Sequence, residues 1–127
     1  MQVKRLRQVY LVSPDLEARV KFYGKVLGLR QQFRDGDRWV QFQAGEVSLA
    51  LASQAEGMGA PRDTPIPVFE VTDVDQARTE LEQLGYAVTS VRDMGAHGRM
   101  TGASDPGGAY LVLLEPAKVR ANTAEVG

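Results

Sequence analysis

One pattern occurs twice in this chain, and it limits the folds that the chain can adopt. Residues 8–29 and residues 66–86 each contain a short apolar strand, a turn with a hydroxyl and an acidic side chain, and an amphipathic helix. Each copy closes on Leu-Gly, at Gly28 and at Gly85, and a glycine there is the usual left-handed end of a helix. Two copies of one small unit can join their sheets and enclose a space, and that space is where a function should be sought.

The composition describes one globular domain of balanced charge. The chain has 127 residues, of which 43% are hydrophobic, and this is enough for a core of its own. Fifteen basic and sixteen acidic residues argue against a nucleic-acid-binding protein, whose surface is basic. Cysteine is absent, which excludes disulfides and thiolate chemistry. No segment approaches the roughly 20 apolar residues of a membrane span, and no export signal is visible, so we expect a soluble cytoplasmic protein without membrane or nucleic-acid partners.

Turn residues and apolar spacing place the helices and strands. Helix one is predicted to begin at Ser13, whose hydroxyl can cap the first turn. Its apolar face recurs at helical spacing as far as Leu27. Helix two is predicted to begin near Asp73. We predict strands over residues 4–12, 29–34, 38–43, 46–52, from about 66, and over 87–92, 99–104 and 110–115.

The hairpin of the third and fourth strands indicates a cavity wall. A two-residue turn at residues 44–45 would pair Phe42 with Val47 and Trp39 with Ala50. One face of this hairpin is then ordinary core. The other face carries Trp39, Gln41, Ser48, Ala50 and Ala52. A face that is polar, small and singly aromatic is not packed like a core.

The chain is predicted to be one domain, residues 1–127, built from two modules. Module one spans about 4–53 and module two about 66–116. Residues 54–65 are rich in glycine and proline, so they form a linker that could also act as a flap. The polar tail 117–127 is expected to fray.

Several local motifs match a known family in order and spacing. They are Val12-Ser13-Pro14-Asp15-Leu16, Phe22-Tyr23, Leu27-Gly28-Leu29, Phe69-Glu70-Val71-Thr72-Asp73 and Asp105-Pro106-Gly107-Gly108. Over residues 6–116 the chain resembles the vicinal-oxygen-chelate superfamily, which includes glyoxalase I, extradiol dioxygenases and the bleomycin- and fosfomycin-resistance proteins. The resemblance implies an α+β fold in which two βαβββ modules form a curved mixed sheet with a central cup and helices outside. It also implies a homodimer, because related single-domain members usually assemble in pairs.

Enzymes of this family hold a divalent metal through His and Glu side chains at four strand positions. The resemblance puts Gln8, Ala50, Ile66 and Val112 at these positions, and none of them is a usual ligand. A first-row metal needs imidazole, carboxylate or thiolate donors at about 2.0–2.3 Å. The only histidine, His97, lies in a glycine-flanked loop instead. We therefore expect neither a metal nor another cofactor.

Strand alternation predicts which side chains line the cup and could bind a small-molecule ligand. They are Gln8, Tyr10, Trp39, Gln41, Ser48, Ala50, Glu70, Tyr110 and Val112. Trp39 could cover core, or its indole could be the stacking platform for a flat ligand. Glu70 could be a solvated strand residue. If it points inward beside aromatic rings, burial would raise its pKa and make it a candidate base or a cation anchor.

These observations leave more than one function open. The leading hypothesis is a metal-free binding protein of the glyoxalase/bleomycin-resistance type that sequesters a planar or aromatic compound such as an antibiotic. The alternative is a divergent enzyme (lyase, isomerase or dioxygenase) with a displaced metal site or none, for which Glu70, Tyr110 and His97 are the candidate catalytic residues. An accessory domain that kept the fold and lost the site is a third possibility. We favour binding because all four metal positions carry residues that are not ligands.

Overall fold

The computed structural model describes residues 1–118, which form one mixed sheet of eight strands with two helical segments. The strands are β1 Val3–Val12, β2 Arg30–Asp35, β3 Trp39–Ala44, β4 Val47–Ala52, β5 Ile66–Val71, β6 Arg92–Asp93, β7 Arg99–Ser104 and β8 Tyr110–Glu115. Their order across the sheet is β2-β3-β4-β1-β5-β8-β7-β6. The predicted α+β fold with a mixed sheet is confirmed. Most of the tail that we expected to fray, residues 119–127, lies outside the described residues.

The repeat in the sequence is visible as a repeat in the strand pairing. β1 runs parallel to β4, and β5 runs parallel to β8. The two halves meet where β1 pairs antiparallel with β5. Both helical segments pack on one face of the sheet, and the face opposite them holds a separate apolar cluster that includes Tyr10 and Val68.

Helix one differs from its prediction at its start and in its winding. The α-helix α1 spans Leu16–Val20 and continues as a π-helix over Lys21–Val26. Its cap is Asp15, whose side chain accepts a hydrogen bond from the Ala18 amide. Ser13 is not the cap, because its hydroxyl donates to the Asp15 carbonyl oxygen. The predicted glycine stop is confirmed, with Gly28 at φ +76°.

Helix α2 spans Val74–Gln83 and follows its prediction closely. Asp73 caps it by accepting a hydrogen bond from the Gln76 amide at 3.0 Å, and Gly85 ends it in the left-handed region at φ +92°. No helix within residues 1–118 is long and apolar enough to cross a membrane.

The predicted strand over residues 87–92 is wrong. This part of the chain forms only an isolated bridge between Val88 and Ala103 and the two-residue strand β6. The Thr89 amide donates to the Gly102 carbonyl oxygen at 2.9 Å, but the Thr89 carbonyl oxygen accepts from two side chains, Arg78 Nε and the Thr101 hydroxyl. The continuous ladder of a regular strand is therefore missing here.

The register of the β3–β4 hairpin is two residues away from the predicted one. Phe42 pairs with Leu49 instead of Val47, and Trp39 pairs with Ala52 instead of Ala50. The turn therefore lies one residue later than predicted. Because side chains alternate with a period of two, a shift of two residues leaves every side chain on its predicted face.

The linker is attached to both modules through tyrosine hydroxyls. The Tyr10 hydroxyl, on β1, donates to the Gly57 carbonyl oxygen at 3.0 Å, and the Tyr110 hydroxyl, on β8, donates to the Met58 carbonyl oxygen at 2.5 Å. Gly57 also lies against Val12, where an added Cβ would come within 2.4 Å of a methyl carbon. The linker therefore lies across the end of the cup.

A glycine on β7 makes room for one of these tyrosines. A Cβ added at Gly102 would lie 2.0 Å from the Tyr110 hydroxyl oxygen and 2.6 Å from its ring carbon Cζ. Both atoms belong to the side chain that holds the linker at Met58. Gly102 is therefore required by packing, and its backbone needs no unusual φ.

We expect Gly102→Ala to lower the free energy of unfolding by about 1–3 kcal/mol, because the methyl group displaces Tyr110 from a packed position. Urea denaturation measures this loss. Gly107→Ala is the matched control: its Cβ meets only the Asp105 carboxylate at 3.4 Å, so the loss should stay below about 0.5 kcal/mol. The clash explanation would be contradicted if Gly102→Ala cost as much in a Tyr110→Ala background as in the wild type.

Candidate functional site

A cleft of about 750 Å³ opens on the face of the sheet opposite the helices, between the two modules. Side chains of β1, β3 and β4 form one wall, and the linker, the loop after β6 and strands of module two complete it. This volume is within the range of small-molecule pockets in proteins. We call this space the cup cleft.

Amide and hydroxyl side chains form a hydrogen-bonded network along the floor of the cup cleft. Trp39 Nε1 and Gln8 Nε2 both donate to Gln41 Oε1, each at 3.1 Å. Gln41 Nε2 then donates to Gln32 Oε1 at 3.2 Å and to the Ser48 hydroxyl at 3.4 Å. Ser48 donates in turn to Gln32 Oε1 at 3.2 Å. The network fixes the amide planes, so it presents a defined polar surface.

The inner end of the cup cleft is aromatic. The Tyr10 and Trp39 rings lie 5.9 Å apart between centroids, tilted by 40°, a separation at which aromatic pairs attract each other. Burial raises the pKa of Tyr10 well above its ordinary value, and nearby Tyr110 adds to the rise. Burial also raises the pKa of Tyr110. Both phenols are therefore protonated donors at neutral pH.

Glu70 stands at one rim, held by two arginines of β1 that border the cup cleft. The pairing of β1 with β5 shifts between Leu6 and Gln8, which makes Arg7 an extra residue in the strand. Arg5 Nε and Arg7 Nη1 donate to Glu70 Oε1 at 3.0 and 2.9 Å. Burial pushes the pKa of this carboxyl up, but the hydrogen bonds and charges of both arginines outweigh it, and the pKa lies below its ordinary value. The condition for a raised pKa, a carboxyl that points inward beside aromatic rings, is therefore not met.

At the other rim, side chains from the two modules meet. The Phe33 ring on β2 and the His97 ring in the loop after β6 lie 5.9 Å apart between centroids. Arg92 Nη2 donates to Glu56 Oε1 at 3.2 Å, which ties β6 to the linker. We did not predict Phe33, Arg92 or Glu56 as cleft residues. Phe33 reaches the cup cleft because the register of β2 shifts just before it, and no local sequence pattern marks that shift.

The nine predicted ligand-binding residues fall into three groups in the structure. Five of them border the cup cleft, namely Gln8, Tyr10, Trp39, Gln41 and Ser48. Ala50 and Val112 differ from the prediction: they are fully buried in the apolar cluster of Tyr10, against which Trp39 packs, so the larger rings cover them. Glu70 bonds to Arg5 and Arg7, and Tyr110 directs its hydroxyl at the linker.

The four positions that the resemblance assigns to metal ligands do not fit a metal. Ala50, Ile66 and Val112 are fully buried alkyl side chains within one apolar cluster, and alkyl groups donate no electron pair. Gln8 has an amide, which is committed through its nitrogen to Gln41. Nowhere in residues 1–118 do three or more His, Asp or Glu side chains gather in a way that could hold a metal ion.

Comparisons with known proteins agree with the fold. The chain is 33% identical over 123 residues to an uncharacterized protein of Mycolicibacterium smegmatis (strain ATCC 700084 / mc(2)155), covering 93% of this chain and 99% of that relative. It is similar to the solved structure of methylmalonyl-CoA epimerase from Mycobacterium tuberculosis, with a TM-score of 0.61 and 20% identity, covering 91% of this chain and 90% of that chain. It is also similar to the structure of an extradiol ring-cleaving dioxygenase from B. fuscum, with a TM-score of 0.71 and 22% identity, covering 92% of this chain and 34% of that chain. At these identities, the two structures show a shared fold.

A family model extends this likeness to most of the sequence. The model of the Glyoxalase/Bleomycin resistance protein/Dioxygenase superfamily matches residues 5–113. This range contains both modules, the linker and almost all of the cup cleft. The chain belongs to the glyoxalase/bleomycin resistance protein/dioxygenase superfamily.

Proposed function

We propose that this protein binds a small planar molecule in the cup cleft, without a metal at the position that the family uses. The observation that carries the proposal is the placement of Trp39: its ring borders an open cleft of about 750 Å³ beside Tyr10, and its N–H is held by Gln41. A rigid aromatic wall with a few fixed polar groups is typical of a small-molecule site. An aromatic antibiotic is one ligand of the proposed kind.

The candidate catalytic side chains give less support to turnover than to binding. Glu70 has a lowered pKa and shares one oxygen between two arginines, which makes it a weak base. Tyr110 is committed to the linker carbonyl of Met58. His97 is exposed and lies against Phe33 at the rim of the cleft. We therefore propose sequestration as the effect of binding, with a divergent lyase, isomerase or dioxygenase as the alternative.

We also propose that the protein acts in the cytoplasm, and that it forms a homodimer, as the resemblance implies. Exposed apolar side chains support a contact with a second copy, among them Val3 and Leu6 at the start of β1 and Phe22 and Leu27 on helix one. Light scattering by the purified chain measures the number of copies.

Titration of Trp39 fluorescence tests the proposed binding, since Trp39 is the only tryptophan of the chain. A planar ligand that lies against the indole should change its emission with a saturable, one-to-one dependence on concentration. The titration is made with chelator-treated protein and a broad panel of planar compounds, antibiotics included. Unchanged emission across the whole panel would count heavily against the proposal.

Calorimetric titration with metals separates binding from the metal chemistry of the family. We expect chelator-stripped protein to show no one-to-one binding of Ni²⁺, Zn²⁺, Mn²⁺ or anaerobic Fe²⁺ at micromolar affinity, because Ala50, Ile66 and Val112 supply no donor atoms. Tight one-to-one binding would overturn this interpretation and favour the enzyme. The variant Gln8→His/Ala50→Glu, which adds two ligand types at family positions, serves as the control for detecting a bound metal.

The pH dependence of stability tests whether Glu70 is a structural clamp. Its folded-state pKa lies below the ordinary 4.5, so its ion pairs stabilise the fold above that pH and lose their effect as the pH falls through the folded pKa. Glu70→Gln should therefore lower the free energy of unfolding by about 1 kcal/mol at neutral pH and by much less near pH 3. Urea denaturation at both pH values measures the difference, and a deficit that persists unchanged in acid would contradict the clamp.

A further inference from the structure

The indole N–H of Trp39 determines which way the neighbouring amide faces. An indole nitrogen can only donate a hydrogen bond, and Trp39 Nε1 donates to Gln41 Oε1 at 3.1 Å. The amide nitrogen of Gln41 must then face the other way, where it meets the oxygen atoms of Gln32 and Ser48. Every hydrogen-bonding group of the Gln41 amide is thus used.

The orientation of Gln41 determines that of Gln8. Gln41 Oε1 can only accept, so Gln8 has to approach it with nitrogen, and Gln8 Nε2 lies 3.1 Å away. The oxygen Oε1 of Gln8 is left over. Within residues 1–118 no protein group donates to it, and it is not among the fully buried unpaired atoms, so water in the cup cleft, which Gln8 borders, can reach it.

An amide oxygen that faces the cleft and has no donor from the protein becomes a requirement of the site once a ligand displaces the water beside it. Buried polar groups in proteins are almost always paired, and an unpaired one destabilises whatever excludes water from it. A ligand that covers Gln8 therefore has to supply a donor there or lose affinity. Only a donor can meet this requirement, because the hydrogen bond from the Trp39 indole prevents the two amides from exchanging the positions of their oxygen and nitrogen atoms.

Resting on the proposed function, we infer that the ligand is a planar ring bearing an N–H or O–H group, which donates a hydrogen bond to Gln8 Oε1 while the ring lies against Trp39 and Tyr10. The chemical class is that of phenols and N–H heteroaromatics. Rings of the same shape that carry only acceptors, such as aryl ethers, bind more weakly. Gln8 thus selects ligands that donate a hydrogen bond, and it does so at a strand position where the family places a metal ligand.

A pair of probes that differ by one methyl group tests this inference. β-Naphthol can donate a hydrogen bond, and its methyl ether cannot. Calorimetric titration of the full chain should give β-naphthol about tenfold the affinity of the ether, the usual effect of one unpaired buried acceptor. Gln8→Met, which keeps the length and removes the acceptor, should abolish this preference.

Two further variants distinguish orientation from a merely structural effect. Gln31→Met introduces the same change at an exposed residue of β2 that does not border the cup cleft, so it should leave the preference intact. Trp39→Phe keeps an aromatic ring and removes the N–H. Both amides are then free to turn over, and the preference for β-naphthol should fall although both probes still bind.

The outcomes separate this inference from the function on which it rests. Equal affinity of the two probes for the wild type, or a preference that survives Gln8→Met, would overturn the hydrogen bond to Gln8 and leave metal-free binding intact. Absence of binding by either probe at millimolar concentration, with the fold verified by circular dichroism, would contradict both. A tenfold preference that is lost in Gln8→Met and kept in Gln31→Met would establish the assignment.

Discussion

The cup depends on the antiparallel pairing of β1 with β5, which is the seam between the two modules. This pairing makes one sheet from two half-sheets and sets which side chains from each half face a common space. The bulge at Arg7 adds a second consequence. It interrupts the alternation of β1, so that Arg5 and Arg7 border the same cleft as Gln8 and Tyr10 and form an ion-paired cluster with Glu70 at its rim.

Hydrogen-bonded amides occupy the part of the cup in which a metal would be expected. Gln8 and Gln41 join Trp39 to Ser48 without a charged group, and the neighbouring position, Ala50, is buried carbon. A metal attracts electron pairs from any direction that its coordination geometry leaves open. A fixed amide selects ligands by where they place one hydrogen-bonding group and by whether that group is a donor or an acceptor. The floor of the cup is therefore suited to recognising the polar groups of a ligand.

Much of the fold and part of the site could be predicted from the sequence, and the differences have physical causes. Alternation put Trp39 and Gln41 on the correct face even though the hairpin register was wrong by two residues, because a period of two is insensitive to that error. The bulges before Gln8 and Phe33 could not be predicted, since they arise from pairing between distant strands. Likewise, the carboxylate of Glu70 was recognised, but the two arginines that lower its pKa meet it only through the pairing of β1 with β5, which are far apart in the sequence.

The attachment of the linker to Tyr10 and Tyr110 has a consequence for local unfolding. One hydroxyl comes from each module, so the linker cannot lift away without breaking a bond to both halves of the sheet. Opening of the linker would therefore free Tyr10 and Tyr110 together, which couples the linker to the stability of both modules although it belongs to neither.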